Sequence, residues 1–269
     1  AGLLGRVYIL RALAFLDAVD PAWTGEHLVP RLDWDHDEAL PLWHAYAHGR
    51  VGHARLFNAL KPAMLQAFER KRLPSLALEG VFSKLFSVAA WHLKGQANGY
   101  ALLPSEVKWA LTVAPEQVRQ HAAWQLWRMM SDDKVADKAA YWQDFIKPLL
   151  QEIWPLDARA KGKGTSERLI LMALECDSAL PDALESVLDF VVPYQFSSLT
   201  HALRLETRHQ DLFQEHPGAF LRLANAIVDP DVFQAPSDLP MFLEECIALD
   251  SRLQKDPAYI RLYGLRRQQ

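Results

Sequence analysis

Two cysteines, Cys176 and Cys246, are all that 269 residues contain, too few for a disulfide framework or an all-thiolate zinc site. They fit a reducing compartment such as the cytoplasm, as small core residues. Long apolar runs are also missing: the stretch from Val7 to Leu16 is broken by Arg11 and is too short to cross a bilayer. No basic, apolar and small-residue pattern marks a secretory signal. Positive charge is not in excess, since 29 Lys plus Arg stand against 33 Asp plus Glu, a formal net of -4, so nothing draws the whole chain toward nucleic acid or an anionic membrane. A Gly-x-Ser-x-Gly elbow and a Gly-x-Gly-x-x-Gly fingerprint are both absent, which removes the usual signs of an acyl-transfer enzyme and of a dinucleotide site. The sequence starts at Ala1 without Met and enters a helical pattern at once, from which we expect a piece of a longer parent protein.

What is present is helical periodicity. Half of the residues are apolar, enough for a substantial core, and they recur at helical spacing, as in Leu3, Val7, Leu10 and Ala14 or Val118, Ala122, Leu126 and Met129. Strand-like alternation is nearly absent. Many of the prolines follow residues that close a helical pattern, among them Asp20, Leu103, Ala114, Leu180 and His216, the position a helix start tolerates. Asp35, Ser75 and Ser166 resemble N-caps, and Gly49 and Gly95 resemble stops. The spacing predicts an all-α fold of about thirteen helices, among them 3–19, 135–153 and 197–213, paired antiparallel as an α-solenoid or HEAT-like array without a fixed repeat. The small, charged segment from Asp157 to Thr165, DARAKGKGT, is expected to be a linker or exposed loop between a first part, 1–156, and a second, 166–269.

The densest chemistry lies in WDHDEALPLWHAYAH, from Trp34 to His48. His44 and His48 are four apart, one helical face, the geometry by which two imidazoles grip zinc. The zincin motif needs Glu after the first His, and Ala45 stands there. A third ligand must come from His36, Asp33 or Asp37, so the set is incomplete. We read no metal site, with Trp34, Leu42, Trp43 and Tyr46 packing and the histidines facing water. In RLETRH, Arg204 and His209 match the loose Arg-His spacing of HEPN ribonucleases, where a cation and an imidazole converge on a phosphate. Five residues on a straight helix separate them by about 140°, so we read a solvated face carrying ion pairs of Glu206 and Arg208. KGKGT at Lys161 lacks the glycine, the Lys-Ser/Thr step and the preceding strand of a phosphate loop. The basic ends ERKR at Glu69 and RLYGLRR at Arg261 suit helix C-termini.

The order LPSEVKWAL, VRQHAAWQLWRMM, YWQDFIKPLLQEIWP, TSERLILMALE and LPDALESVLDFVVPY, with DPAWTGEHLVPRLDWDHDEALPLWHAY before it, resembles the helical domain of unknown function found C-terminal to sirtuin-like NAD-hydrolysing domains in bacterial anti-phage proteins. The resemblance implies that NAD cleavage belongs to a separate domain and that the helical region senses, scaffolds or oligomerises. It carries no active-site residue onto this chain. The sequence therefore points to a non-catalytic, cytoplasmic interaction region that needs no cofactor. Its expected partner is protein: a neighbouring domain, a second copy or a trigger. Nucleic acid and membrane are not favoured. The alternative is a HEPN-like or metal-assisted nuclease using Arg204 and His209, or the histidines near Trp43.

Overall fold

A computed structural model describes residues 2–70, 73–205, 209–229 and 235–266. The fold is all-α. Among the described residues the only β feature is an isolated bridge between Tyr194 and Val228. The helices are α1 (Leu3–Arg11), α2 (Leu13–Val19), α3 (Pro21–His27), α4 (Ala39–Ala47), α5 (Ala54–Arg70), α6 (Ser75–Leu93), α7 (Pro104–Val113), α8 (Glu116–Met130), α9 (Lys138–Tyr141) and α10 (Lys147–Ile153). They continue with α11 (Lys163–Leu174), α12 (Leu180–Leu188), α13 (Leu199–Ala202), α14 (Gln210–Glu215), α15 (Pro217–Ile227), α16 (Leu239–Leu249) and α17 (Pro257–Arg266). Prolines open α3, α7, α15 and α17, where a missing N–H costs nothing.

Helices are shorter than the periodicity predicts. The expected helix over 3–19 is interrupted at Ala12, whose φ of −95° and ψ of 12° leave the helical region. The expected helix over 135–153 carries a π-helical turn, Trp142–Ile146, ahead of Pro148, which has no N–H to offer the carbonyl of Asp144. Ser166 lies inside α11 rather than ahead of it, because extended Gly162 starts the helix at Lys163. The segment expected as a loop thus holds a 3-10 turn, Ala158–Ala160, and the first residues of α11. Gly95 does end α6: its φ is 66°, and Gln96 N–H reaches back to Trp91 O, a Schellman closure.

The chain forms two compact units, Ala1–Ala122 with Pro148–Ala160, and Ala123–Lys147 with Lys161–Gln269. In the first, α6 is the central rod. Ala77, Val81, Phe82, Leu85, Phe86 and Val88 bury it on several sides, as a helix with apolar residues on more than one face requires. It packs on α4, α5 and α7. Trp43 and Trp34 stack, their rings 5.1 Å apart and 7° from parallel, and their indole N–H groups donate to Leu32 O and Ala63 O. Both N–H groups are therefore satisfied, which burial demands. Arg6 donates to Glu38, tying α1 to the turn before α4. Asp17, buried on α2, pairs with Arg55 of α5.

In the second unit α11, α12, α15, α16 and α17 pack on one another around Phe213, Phe220 and Phe242, with Phe213 5.4 Å from each of the other two rings. The π turn aims three donors at one carboxylate: Trp142 Nε1, Gln143 Nε2 and Lys147 Nζ lie 2.7, 3.0 and 2.7 Å from Asp182. Desolvation pushes the Asp182 carboxyl up, but these bonds outweigh it and hold the group below its ordinary value. Cys176 and Cys246 are free and buried, and burial raises both thiols, Cys246 to about 12.

The crossing of α4 and α6 depends on Gly80, where an added Cβ would lie 2.5 Å from the Ala47 carbonyl oxygen. Gly80→Ala must push the two helices apart, and we expect a loss of about 1–3 kcal/mol in urea unfolding. Gly264→Ala on α17 meets nothing within 4 Å and should be neutral or stabilising by up to about 1 kcal/mol.

Candidate functional site

The aromatic residues of the histidine-rich stretch pack as expected. Trp34, Leu42, Trp43 and Tyr46 are all buried. His44 and His48 are exposed, with ring centroids 5.1 Å apart, and the ring of His36 is turned to accept from Glu38 N–H through Nδ1. Among the described residues no three His, Cys, Asp or Glu side chains are grouped as metal ligands. His36 therefore does not join His44 and His48.

Arg204 and His209 do not share a helix. The expected helix over 197–213 stops at Ala202, and Arg204 adopts a left-handed φ of 53°. Leu205 N–H bonds to Thr200 O and Arg204 N–H to His201 O, so an arginine fills the place a glycine usually takes in this closure. His209 precedes α14 as its N-cap. Arg204 is exposed and His209 is buried. Arg204, His201 and Glu167 line a cavity of ≈ 270 Å³ to which His209 does not contribute. Glu206 and Arg208, read as ion-pair partners, lie outside the described residues. Lys163, from the glycine-lysine segment, starts α11, faces Glu167 at 3.9 Å and lies over the Tyr194 ring. Arg261 lies in the middle of α17 and caps a different helix, α15, through Asn225 O and Val228 O, at 2.7 and 2.8 Å.

The site that sequence reading passed over centres on Lys84, in α6. One turn after Gly80, its ammonium donates to Ala47 O at 3.0 Å and Gly49 O at 2.7 Å. Its Nζ also lies 4.9 Å from the centroid of the Tyr46 ring, within cation–π range. Only 3 % of Lys84 is exposed, and burial pushes its amine down to about 8. No carboxylate pairs with it among the described residues. The 49–52 link and the Ser83, Lys84, Ser87 and Trp91 face of α6 line a cavity of ≈ 520 Å³ that is open to the surface. Gly52, with φ of 85°, turns the chain beside it, and Tyr100 Oη donates to Gly52 O at 2.7 Å. The legible sign was a lone charge in the otherwise uncharged run VFSKLFSVAAW.

Beside the cavity, Ser83 Oγ is 3.0 Å from His121 Nε2, and His121 Nδ1 is 3.6 Å from Glu79. This resembles a hydrolytic triad in residue type only. Ser83 Oγ donates to Glu79 O at 2.8 Å, and a hydroxyl has a single proton, so while that bond is made Ser83 has none to give His121. Ser83 also sits mid-helix, where neighbouring N–H groups are committed to the helix and form no oxyanion hole.

A second surface stands out by exposure. Leu4 and Tyr8 on α1, and Phe15 and Val19 on α2, are 84, 78, 67 and 66 % exposed. Each pair is four residues apart, one helical face. Four large apolar groups along successive helices exceed the singly scattered apolar residues of an ordinary surface.

Comparison with known protein families, with curated proteins and with solved structures gives no match.

The Lys84 geometry sets a pH signature. Its folded value lies below the ordinary 10.5, so between about 8 and 10.5 the unfolded chain binds the extra proton and folding gains stability as pH rises. The stability of the wild type minus that of Lys84→Met should rise across that window by up to about 1.4 kcal/mol per pH unit. Urea titrations of both proteins check this, and tyrosine and cysteine ionisation, common to both, largely cancels in the difference.

Proposed function

We propose that this chain is a non-catalytic helical interaction and scaffold region of a larger multidomain protein, and that it works by pairing with a second copy through α1 and α2. The single observation that carries this reading is the exposed stripe Leu4, Tyr8, Phe15 and Val19. Covering such side chains yields about 1.5–3 kcal/mol each, and a self-complementary patch closes into a two-fold pair without needing any other surface. Charge supports the same pairing. Arg11 and Asp20 are exposed on either side of Phe15. An antiparallel pair centred near Phe15 sets Arg11 of each copy against Asp20 of the other.

The reading includes the α-solenoid arrangement and the cytoplasmic setting expected from the sequence. No helix among the described residues is long and apolar enough to cross a membrane. The resemblance to helical regions that follow NAD-hydrolysing domains in anti-phage proteins fits this role. Catalysis belongs to another domain of the parent, and the helical region brings copies together.

Sedimentation equilibrium tests the proposal. The wild type is expected to associate with concentration, and Tyr8→Asp with Phe15→Asp is expected to leave a folded monomer with unchanged far-UV dichroism. Arg11→Asp should weaken association, and adding Asp20→Arg should restore much of it. A wild type that stays monomeric at every concentration, or a double variant that associates equally well, overturns it.

A further inference from the structure

The cavity beside Lys84 is separate from the α1–α2 stripe and has its own chemistry. Its lining includes two cations, Lys84 and Arg50, and no carboxylate. Lys84 is buried and Arg50 is exposed, which places one charge at depth and the other at the rim. Neither makes an ion pair among the described residues. An ammonium has three N–H donors, and Lys84 spends two on the carbonyls of Ala47 and Gly49. The third makes no hydrogen bond among the described residues, where the Tyr46 ring lies 4.9 Å from the ammonium, and an anion is a stronger partner for that N–H than the ring. A buried charge lacking a counter-charge is costly, and an anion brought beside it recovers part of that cost.

The other walls are different. Val51 and the half-buried ring of Trp91 present carbon, with Trp91 held edge-on by Tyr100 at 5.5 Å. The hydroxyl proton of Ser87 is committed to the carbonyl of Ser83. Its oxygen is therefore left as an acceptor on the cavity wall and can orient an N–H or O–H of a ligand. A volume of ≈ 520 Å³ falls within the range of small-molecule sites, roughly 300–1,000 Å³, and mostly apolar walls with a few placed polar groups are their usual make-up.

We propose that this cavity binds a small molecule joining an anionic head, carboxylate or phosphate, to an apolar body, with the head on Lys84 and Arg50 and the body against Trp91. Capping of α4 alone does not account for the arrangement. A cap needs only a cation near the helix end, and a lysine with its head in water performs that task without desolvation. Here the lysine is buried and is part of the wall of a cavity that a second cation also lines.

Isothermal titration calorimetry with three probes tests this: 3-phenylpropionate, its neutral primary amide, and phenyl phosphate. The wild type is expected to bind at least one anion tenfold or more tightly than the amide, with affinity falling as salt is raised. The anion that binds better identifies the head. Lys84→Met should lower anion affinity tenfold or more. Because that variant leaves two carbonyls uncapped, Arg50→Gln at the exposed rim and Val51→Trp, which fills the cavity, provide the second line. Arg50→Gln should cost several-fold in anion affinity, and Val51→Trp should abolish binding of all three probes while the dichroism stays unchanged. The proposal is overturned if no anion binds the wild type, if acid and amide bind equally, or if Val51→Trp binds as the wild type does.

Discussion

The constraint on which the rest of this structure depends is the satisfaction of helix ends. Short helices are costly in this respect, since each leaves about four carbonyls without an intrahelical partner at its C-terminus. Buried carbonyls must find donors. Here cations on neighbouring elements supply them. Lys84 of α6 takes the end of α4, Arg119 of α8 takes Leu111 O and Ala114 O behind α7, and Arg261 of α17 takes the end of α15. Each bond is charge-assisted and so stronger than a neutral one, and each opposes the negative end of a helix dipole. The same bonds fix which helix lies beside which, because a cap from another element is also a tertiary contact.

The other helix ends follow a matching logic. Asp238 accepts from Ser198 Oγ and from the N–H groups of Leu199 and Thr200 at the start of α13, and Asp20 accepts from Trp23 N–H at the start of α3. Burial pushes the Asp238 carboxyl up, but these donors hold it below its ordinary value. Indole N–H groups complete the set by reaching carbonyls or a carboxylate: Trp43 to Leu32, Trp34 to Ala63, Trp142 to Asp182. This accounts for several of the nine tryptophans. They act as large packing bodies whose one polar atom is used to bond a neighbouring element.

The helical class was legible because 3.6-residue periodicity and proline placement are local signals. Where helices break was less so. The stop at Arg204 is set by a left-handed residue that is not glycine, and nothing in RLETRH announces it. The π turn at Trp142 needed the missing N–H of Pro148 to be weighed against a pattern that otherwise runs on. The packing role of Trp34, Leu42, Trp43 and Tyr46 followed from their spacing. The cavity at Lys84 did not, since it arises where residues 49–52 meet a face of α6 more than thirty positions later in the sequence. Only the anomaly of a cation in an otherwise uncharged run was visible, with Gly80 one turn before it as a second mark.

That anomaly also explains how one residue can serve the fold and a ligand together. The two carbonyls that hold Lys84 restrict its otherwise flexible four-carbon stem, so the entropy of placing an ammonium at the cavity wall is spent during folding and not during binding. Gly80 makes this possible, because only without a Cβ does α6 approach Ala47 closely enough for the next turn to reach its carbonyl. A preorganised cation in apolar surroundings is a stronger anion receptor than the same group in water, since the field it exerts is less screened. The α1–α2 stripe works by a different principle, non-directional apolar area that gains only by being covered. In the two proposals the cation would make a site selective for charge and the stripe would favour association by area, and the two are compatible in one chain because neither uses the other's residues.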